Sequence, residues 1–423
     1  MWNPRHTNRP ASITWLSAAA LLVSCSGGVS TGPARGSTTT STPPVTKPVK
    51  VDCVGDANCP ELEVQGDPPA TLPSGAPSPL RGLSDATIRR DPDTGALWMA
   101  YSWPSIHVSG GGSRTTRVET HLARSDDDGH TWEAAGTLWA AEATNNPVNG
   151  KPGSTDHEVP NLLPVTDPAT GVTRWIAARL DLFVPDGGGL GKRPPSSFRI
   201  GITAAPGPLS LSSAEPAVLG SAATHPGWGV DADLTDLDDS LDRCTLWNEP
   251  ALHHDNGTLF LALRCLPLRP DGTPDVATGS IEVFATEPAG EPESWQWRYA
   301  GRLAGPEEAT ELGGDGLTQI DFAVGRDGRL LAIVTPDRWD TRHKEFAHNG
   351  LRVLEVSSLE EPALARDGGN LVVRAIVTSS DLVPLGPGAG AYEPTSDLGI
   401  VLMRREIGPA TLVASLHDTR LHP

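Results

Sequence analysis

Five stretches of this chain repeat one pattern, and a repeat of that period leaves few folds open. In each, an acid opens a short apolar segment, a tight turn rich in Asp and Gly follows, and a second apolar segment runs out of the turn. The stretches are residues 85–95 (DATIRRDPDTG, leading to LWMAYSW), 158–171 (EVPNLLPVTDPATG, leading to RWIAARLD), 249–257 (EPALHHDNG, leading to LFLALRC), 321–328 (DFAVGRDG, leading to LLAIVTP) and 393–399 (EPTSDLG, leading to IVLMRRE). The opening acids Asp85, Glu158, Glu249, Asp321 and Glu393 stand 73, 91, 72 and 72 residues apart. Asp/Gly turns between apolar segments close β-hairpins. Between hairpins there is room for two more strands, such as THLARS and WEAAGTLW after the first, or GSIEVFAT and WQWRYAGRL after the third. Four strands per unit is the blade of a β-propeller. The chain is therefore expected to be all-β, a single propeller over residues 51–423, with five blades favoured over six. Only 30 residues follow Glu393, so the last blade needs a strand from residues 60–80. Two β-sandwiches would also give short strands, but not the same acid at the same place in every unit.

The N-terminus reads differently. Residues 1–24 carry Arg5 and Arg9, no acid, and an apolar run from Ile13 to Val23. That is the layout of a secretory signal peptide, and the run is too short to span a bilayer. It ends in Leu22-Val23-Ser24-Cys25, which resembles the lipobox of bacterial lipoproteins. The resemblance implies cleavage before Cys25, acylation of its thiol, and a lipid anchor on the bacterial cell envelope, outside the cytoplasm. Residues 25–50 are Ser, Thr, Gly and Pro with almost no large apolar side chain, and read as a disordered tether. The formal net charge is -19, and loss of the leader with its two arginines takes it to -21. Nucleic acid is not a partner for so acidic a surface.

Four cysteines remain beyond Cys25. In an oxidising compartment an even number points to two disulfides, Cys53 with Cys59 and Cys244 with Cys265, the second pair bracketing the third hairpin. No cysteine spacing suits zinc. Residues 231–242 hold six aspartates, enough to suggest a structural calcium but without the EF-hand glycine and spacing. No other cofactor is expected. This acidic stretch accounts for the one long spacing, 91 residues, and is expected as an insertion at the rim of the propeller's funnel.

In the first unit, Ser125, Asp127, Gly129, Thr131 and Trp132 match S-x-D-x-G-x-T-W. This resembles the Asp-box of sialidases and other bacterial neuraminidase repeat proteins, where the box turns between the third and fourth strands of a blade and has no part in catalysis. The chain departs from sialidases in having one good box, five units and no Arg-Ile-Pro signature. Arg81, Arg89, Arg179, Arg264 and Arg404 are the arginines that could gather around a substrate carboxylate.

Five units with an acid at each inner strand look more like the five-bladed glycosidases, a group with arabinanases, xylosidases and invertases. That resemblance implies a base or nucleophile at Asp85, an acid at Glu249 and a further acid at Glu158, with Asp321 and Glu393 completing the ring. Glu158 stands one residue out of register when Pro160 is aligned with Pro250, and a one-residue slip turns a strand side chain to the other face. Trp103 and Trp247, near strand ends, are candidates to stack on a sugar, with Arg264 beside them. Glycosidic cleavage needs one protonated and one ionised carboxyl group. The expected function is carbohydrate binding, with possible hydrolysis. The alternatives are a non-catalytic protein-interaction platform and an exo-sialidase.

Overall fold

The computed structural model describes residues 47–423 apart from 55–57, 109–111, 113, 147–148, 187–197, 223–228, 270–274, 341–344, 382–386 and 409–410. The leader, Cys25 and most of the expected tether lie outside the described residues. The tether's last residues do not: Val49–Asp52 is already a strand.

The protein is an all-β propeller. Its described strands pair into five sheets of four or more strands and one two-stranded ribbon. Inner strands are Ser84–Arg90 in sheet 1, Pro152–Thr166 in sheet 2, Leu246–Asp255 in sheet 3, Gly316–Val324 in sheet 4 and Gly388–Ala391 in sheet 5. Each pairs antiparallel with the strand that follows it through a hairpin. Two of the turns share the sequence Asp-Pro-x-Thr-Gly and the same bonds. Gly95 N–H donates to Asp91 O and Gly171 N–H to Asp167 O, both at 2.8 Å, while Thr94 and Thr170 hydroxyls donate to the Asp91 and Asp167 carboxylates. Local side-chain bonds of this kind fix the turn without tertiary help.

Sheet 5 is closed by Leu80–Gly82, which runs parallel to Thr411–Asp418. The strand begins at Leu80, the last residue of the stretch expected to supply it, and runs two residues past it. A Cβ on Gly82, at φ 110°, would lie 1.9 Å from Ala414 O, so only glycine permits the pairing. The apolar core is divided among the sheet interfaces. Separate clusters join sheets 1 and 2, around Trp98 and Trp175; 2 and 3, around Ile200 and Trp247; and 3 and 4, around Phe260 and Phe322. Two more join 4 and 5, around Ile333 and Leu402, and 5 and 1, around Met403 and Trp132. The last cluster closes the ring.

Both expected disulfides are present. Cys53–Cys59 follows the strand on the outer edge of sheet 4, and Cys244–Cys265 ties the entry of the inner strand of sheet 3 to its neighbour. The S-x-D-x-G-x-T-W turn lies between the third and fourth strands of sheet 1. There Asp127 accepts from Ser125, from Thr131 N–H and from the Thr131 hydroxyl, Gly129 N–H donates to Ser125, and Trp132 is buried.

The acidic stretch 231–242 is not at the funnel rim. Ala232–Asp233 pairs with Ala217–Gly220, the outer part of sheet 2, and Asp231, Asp233 and Asp238 accept backbone N–H groups. Their carboxylates shape the local backbone, and no group of three or more metal-ligating side chains gathers among the described residues.

Candidate active site

Every inner strand breaks its ladder once. The pairing shifts at Ser84/Thr87, at Ala178/Leu180 opposite Val159, at Asn248/Ala251, at Thr318/Asp321 and at Gly388/Gly390. These are β-bulges, which re-aim side chains and recur beside functional sites. In four of them a non-glycine residue takes the left-handed conformation: Asp85 at φ 49°, Val159 at 51°, Glu249 at 54° and Gln319 at 53°. Such backbone costs on the order of 1 kcal/mol per residue and persists where the surroundings over-determine it.

The bulges place two consecutive residues of each of the first four inner strands on one cavity. One tier is Asp85, Val159, Glu249 and Gln319; the residues before them, Ser84, Glu158, Asn248 and Thr318, form the other. All eight line a cavity of about 310 Å³ together with Arg264 and Asp337 on second strands, His348, and Met403 and Arg405 of sheet 5. The out-of-register position of Glu158 is thereby explained. It occupies the tier next to that of Asp85 and Glu249, because a bulge suspends the alternation that would have turned it away. Sheet 5 contributes space instead of a side chain from its inner strand. A Cβ on Gly388 would meet Gln319 Oε1 and His348 Cδ2 at 2.5 Å.

Four carboxyl groups line this cavity, and Asp85, Glu158 and Glu249 among them are raised. Burial pushes Glu158 up to about 8, and the charges of Asp85, Glu249 and Asp156 add to the rise. Burial likewise pushes Glu249 up to about 8, with Asp85 adding and Arg264 opposing. Asp85 is also raised by burial, but a hydrogen bond from Ser84, the nearby Arg405 and His348, and Gln319 Nε2 donating at 3.1 Å all favour its charged form. Three mutually repelling carboxyls ionise in sequence. Asp85 is the one whose neighbours, Arg405 among them, favour the charged form, and its charge helps to raise both glutamates to about 8, which keeps them largely protonated near pH 7.

The other expected ring acids are elsewhere. Gln319, not Asp321, is the bulge residue of sheet 4. Asp321 lies two residues on, nearly fully buried, with Arg89 donating Nη2 to Oδ1 at 2.6 Å and Nη1 to Oδ2 at 3.2 Å. Asn161 donates to the same carboxylate at 2.8 Å and accepts from Leu252 N–H. This knot ties sheets 1, 2, 3 and 4 together on the axis. Glu393 follows the inner strand of sheet 5 and sits in its hairpin turn, accepting from Arg90 N–H, Thr395 N–H and the Thr395 hydroxyl. The acid of the fifth repeat is thus a turn residue, and the inner strand there starts at Gly388.

Neither tryptophan faces the cavity. Trp247 is 2% exposed in the core between sheets 2 and 3, edge-on to Phe284. Trp103 stacks on His121 with ring centroids 4.8 Å apart. Of the five arginines singled out, only Arg264 lines the cavity. Arg89 holds Asp321, Arg179 pairs with Asp181 over the Trp139 ring, Arg404 pairs with Asp381, and Arg81 donates to Ser78 O. The cavity residues that sequence reasoning missed are Asn248, Gln319, Asp337, His348 and Arg405. Asn248 and Gln319 could have been found by aligning the bulges; Arg405 is the alternate neighbour of Arg404 on one strand.

No protein-family model matches the chain, and no curated protein matches it. Among solved structures it is similar to a glycoside hydrolase at 14% identity and TM-score 0.46, covering 80% of this chain and 87% of that one. It is similar to the catalytic domain of a Coprinopsis cinerea alpha-L-arabinofuranosidase at 8% identity and TM-score 0.41, covering 80% and 90%, and to the native Bacillus subtilis arabinanase at 12% identity and TM-score 0.38, covering 79% and 93%.

Proposed function

We propose that this protein is a glycosidase, held by a lipid on Cys25 at the outside of a bacterial membrane. The observation that carries the reading is the axial trio: Asp85, Glu158 and Glu249 converge on one cavity, with both glutamates raised to about 8 beside an aspartate whose neighbours favour its charge. That is the charge state that glycosidic cleavage requires. In this reading Glu249 gives its proton to the leaving oxygen. Asp85, in its charged form, either activates water or attacks the anomeric carbon, and Glu158, raised like Glu249, stands beside them as a second protonated carboxyl.

Arginine placement favours a glycosidase over a sialidase. Arg264 faces Asp337 and Glu249, and Arg405 faces Asp85. The cavity's cations are thus engaged by the protein's own carboxylates.

The test is a screen of aryl glycosides and oligosaccharides with wild type, Asp85→Asn and Glu249→Gln. Each substitution should lower kcat/KM by about 10²–10⁴-fold, the usual worth of a proton-transfer group, with melting temperature maintained or raised. Hydrolysis by wild type that survives both changes would remove the assignment. Anchoring is tested separately: Cys25→Ser should leave an exported protein that no longer sediments with membranes, and continued membrane attachment would refute the lipid anchor.

A further inference from the structure

The cavity has a second polar feature that the acid–base reading does not use. His348 Nδ1 lies 2.6 Å from Asp337 Oδ1, and both side chains are buried, Asp337 at 0% and His348 at 6% exposure. A carboxylate partner fixes the Nδ1–H tautomer, so Nε2 carries a lone pair. Burial and the Arg405 guanidinium keep the ring neutral, although Asp337 and Asp85 oppose them. His348 Nε2, Asp337 Oδ2 and Asn248 Oδ1 are buried on this cavity without a hydrogen-bond partner among the described residues. Unpaired buried acceptors cost free energy unless a ligand supplies donors.

The shape adds a second constraint. Residues from all five sheets encircle the cavity, and its volume is at the small end of the roughly 300–1,000 Å³ usual for ligand sites. Toward the floor only about 20 Å³ remains between Asp85, Pro160, Pro250 and Asp321, and the Arg89–Asp321–Asn161 knot blocks the axis. A ligand enters from one end and cannot pass through.

Resting on the glycosidase reading, we propose that the cavity takes a chain terminus end-on and that the Asp337–His348 pair, with Asn248, recognises the free hydroxyl groups of one terminal sugar. A residue inside a chain has one of those hydroxyls replaced by a glycosidic oxygen, which brings no donor. The enzyme is therefore exo-acting, releasing single sugars.

The experiment digests oligosaccharides labelled at the reducing end with the full-length chain, comparing free ends with ends O-methylated at the non-reducing terminus. Products shortened by one residue at a time, and none from the capped substrate, are expected. Mid-chain cuts or cleavage of the capped substrate would overturn the proposal. His348→Ala and Asp337→Asn should raise KM about ten- to a hundredfold, chiefly over kcat, with His348→Gln, which restores an acceptor, in between. An unchanged KM in folded His348→Ala would remove the pair from recognition. If wild type hydrolyses nothing, equilibrium binding of the free monosaccharides decides. Saturable binding lost in His348→Ala supports end recognition while sinking the hydrolytic reading, and no binding sinks both.

Discussion

Asp321 and Glu249 are acids near the start of neighbouring inner strands, and the propeller uses them in opposite ways. Asp321 is gripped by a guanidinium, an amide and the Phe322 N–H, whereas Glu249 takes a 3.3 Å bond from Asn248 and one from Thr318 and sits beside Asp85 and Asp337, whose charges raise it. One has its charge satisfied and holds sheets together. The other is kept from ionising, at the expense of stability. A ring of like residues thus divides by two positions of register: acids on the bulge or just before it are buried in the cavity and raised, and an acid two residues beyond it becomes structural.

That division predicts stability changes of opposite sign. Asp321→Ala leaves Arg89 buried and unpaired and should destabilise by about 3–5 kcal/mol, as removal of one partner of a buried ion pair does. Chemical denaturation at pH 7 measures it. Glu249→Gln should instead stabilise by about 1–2 kcal/mol, since it removes the need to hold a proton that the unfolded chain releases. If both changes destabilise alike, the contrast between the two acids is false.

pH sharpens the same contrast. Glu158 and Glu249 rise from an ordinary 4.5 to about 8. Their folded-state protons give a contribution that is full below pH 4.5 and shrinks as pH climbs to about 8. Stability should therefore fall across that window, and kcat/KM should decline above about 8 as Glu249 loses its proton. Because Asp85 adds to both rises, Asp85→Asn should flatten the stability profile. An unaltered profile would mean that the carboxyls are not coupled. The smallest effect belongs to Glu393→Gln, which keeps shape and loses charge at exposed turn bonds: about 1 kcal/mol or less, with activity kept.

The sequence by itself did not determine the number of strands in each sheet or the start of the fifth inner strand, but it determined the first four hairpins, both disulfides, and the placement of Asp85 and Glu249 on the cavity. Each follows from local chemistry: Asp/Gly turns bond within themselves, apolar strands alternate, and a residue at a strand start keeps its relation to the turn that follows. The tertiary structure alone decided which acids share the cavity and which are tied into ion pairs. The bulge sets that relation, and it arises from pairing between strands and packing between sheets, which no single repeat encodes. Arg89 finds Asp321 across 232 residues, Trp247 is taken into the core between sheets 2 and 3, and Gly388 makes room for His348 by lacking a side chain. Burial and partnership are long-range properties, and they separate a carboxylate that clamps a propeller from one that can donate a proton.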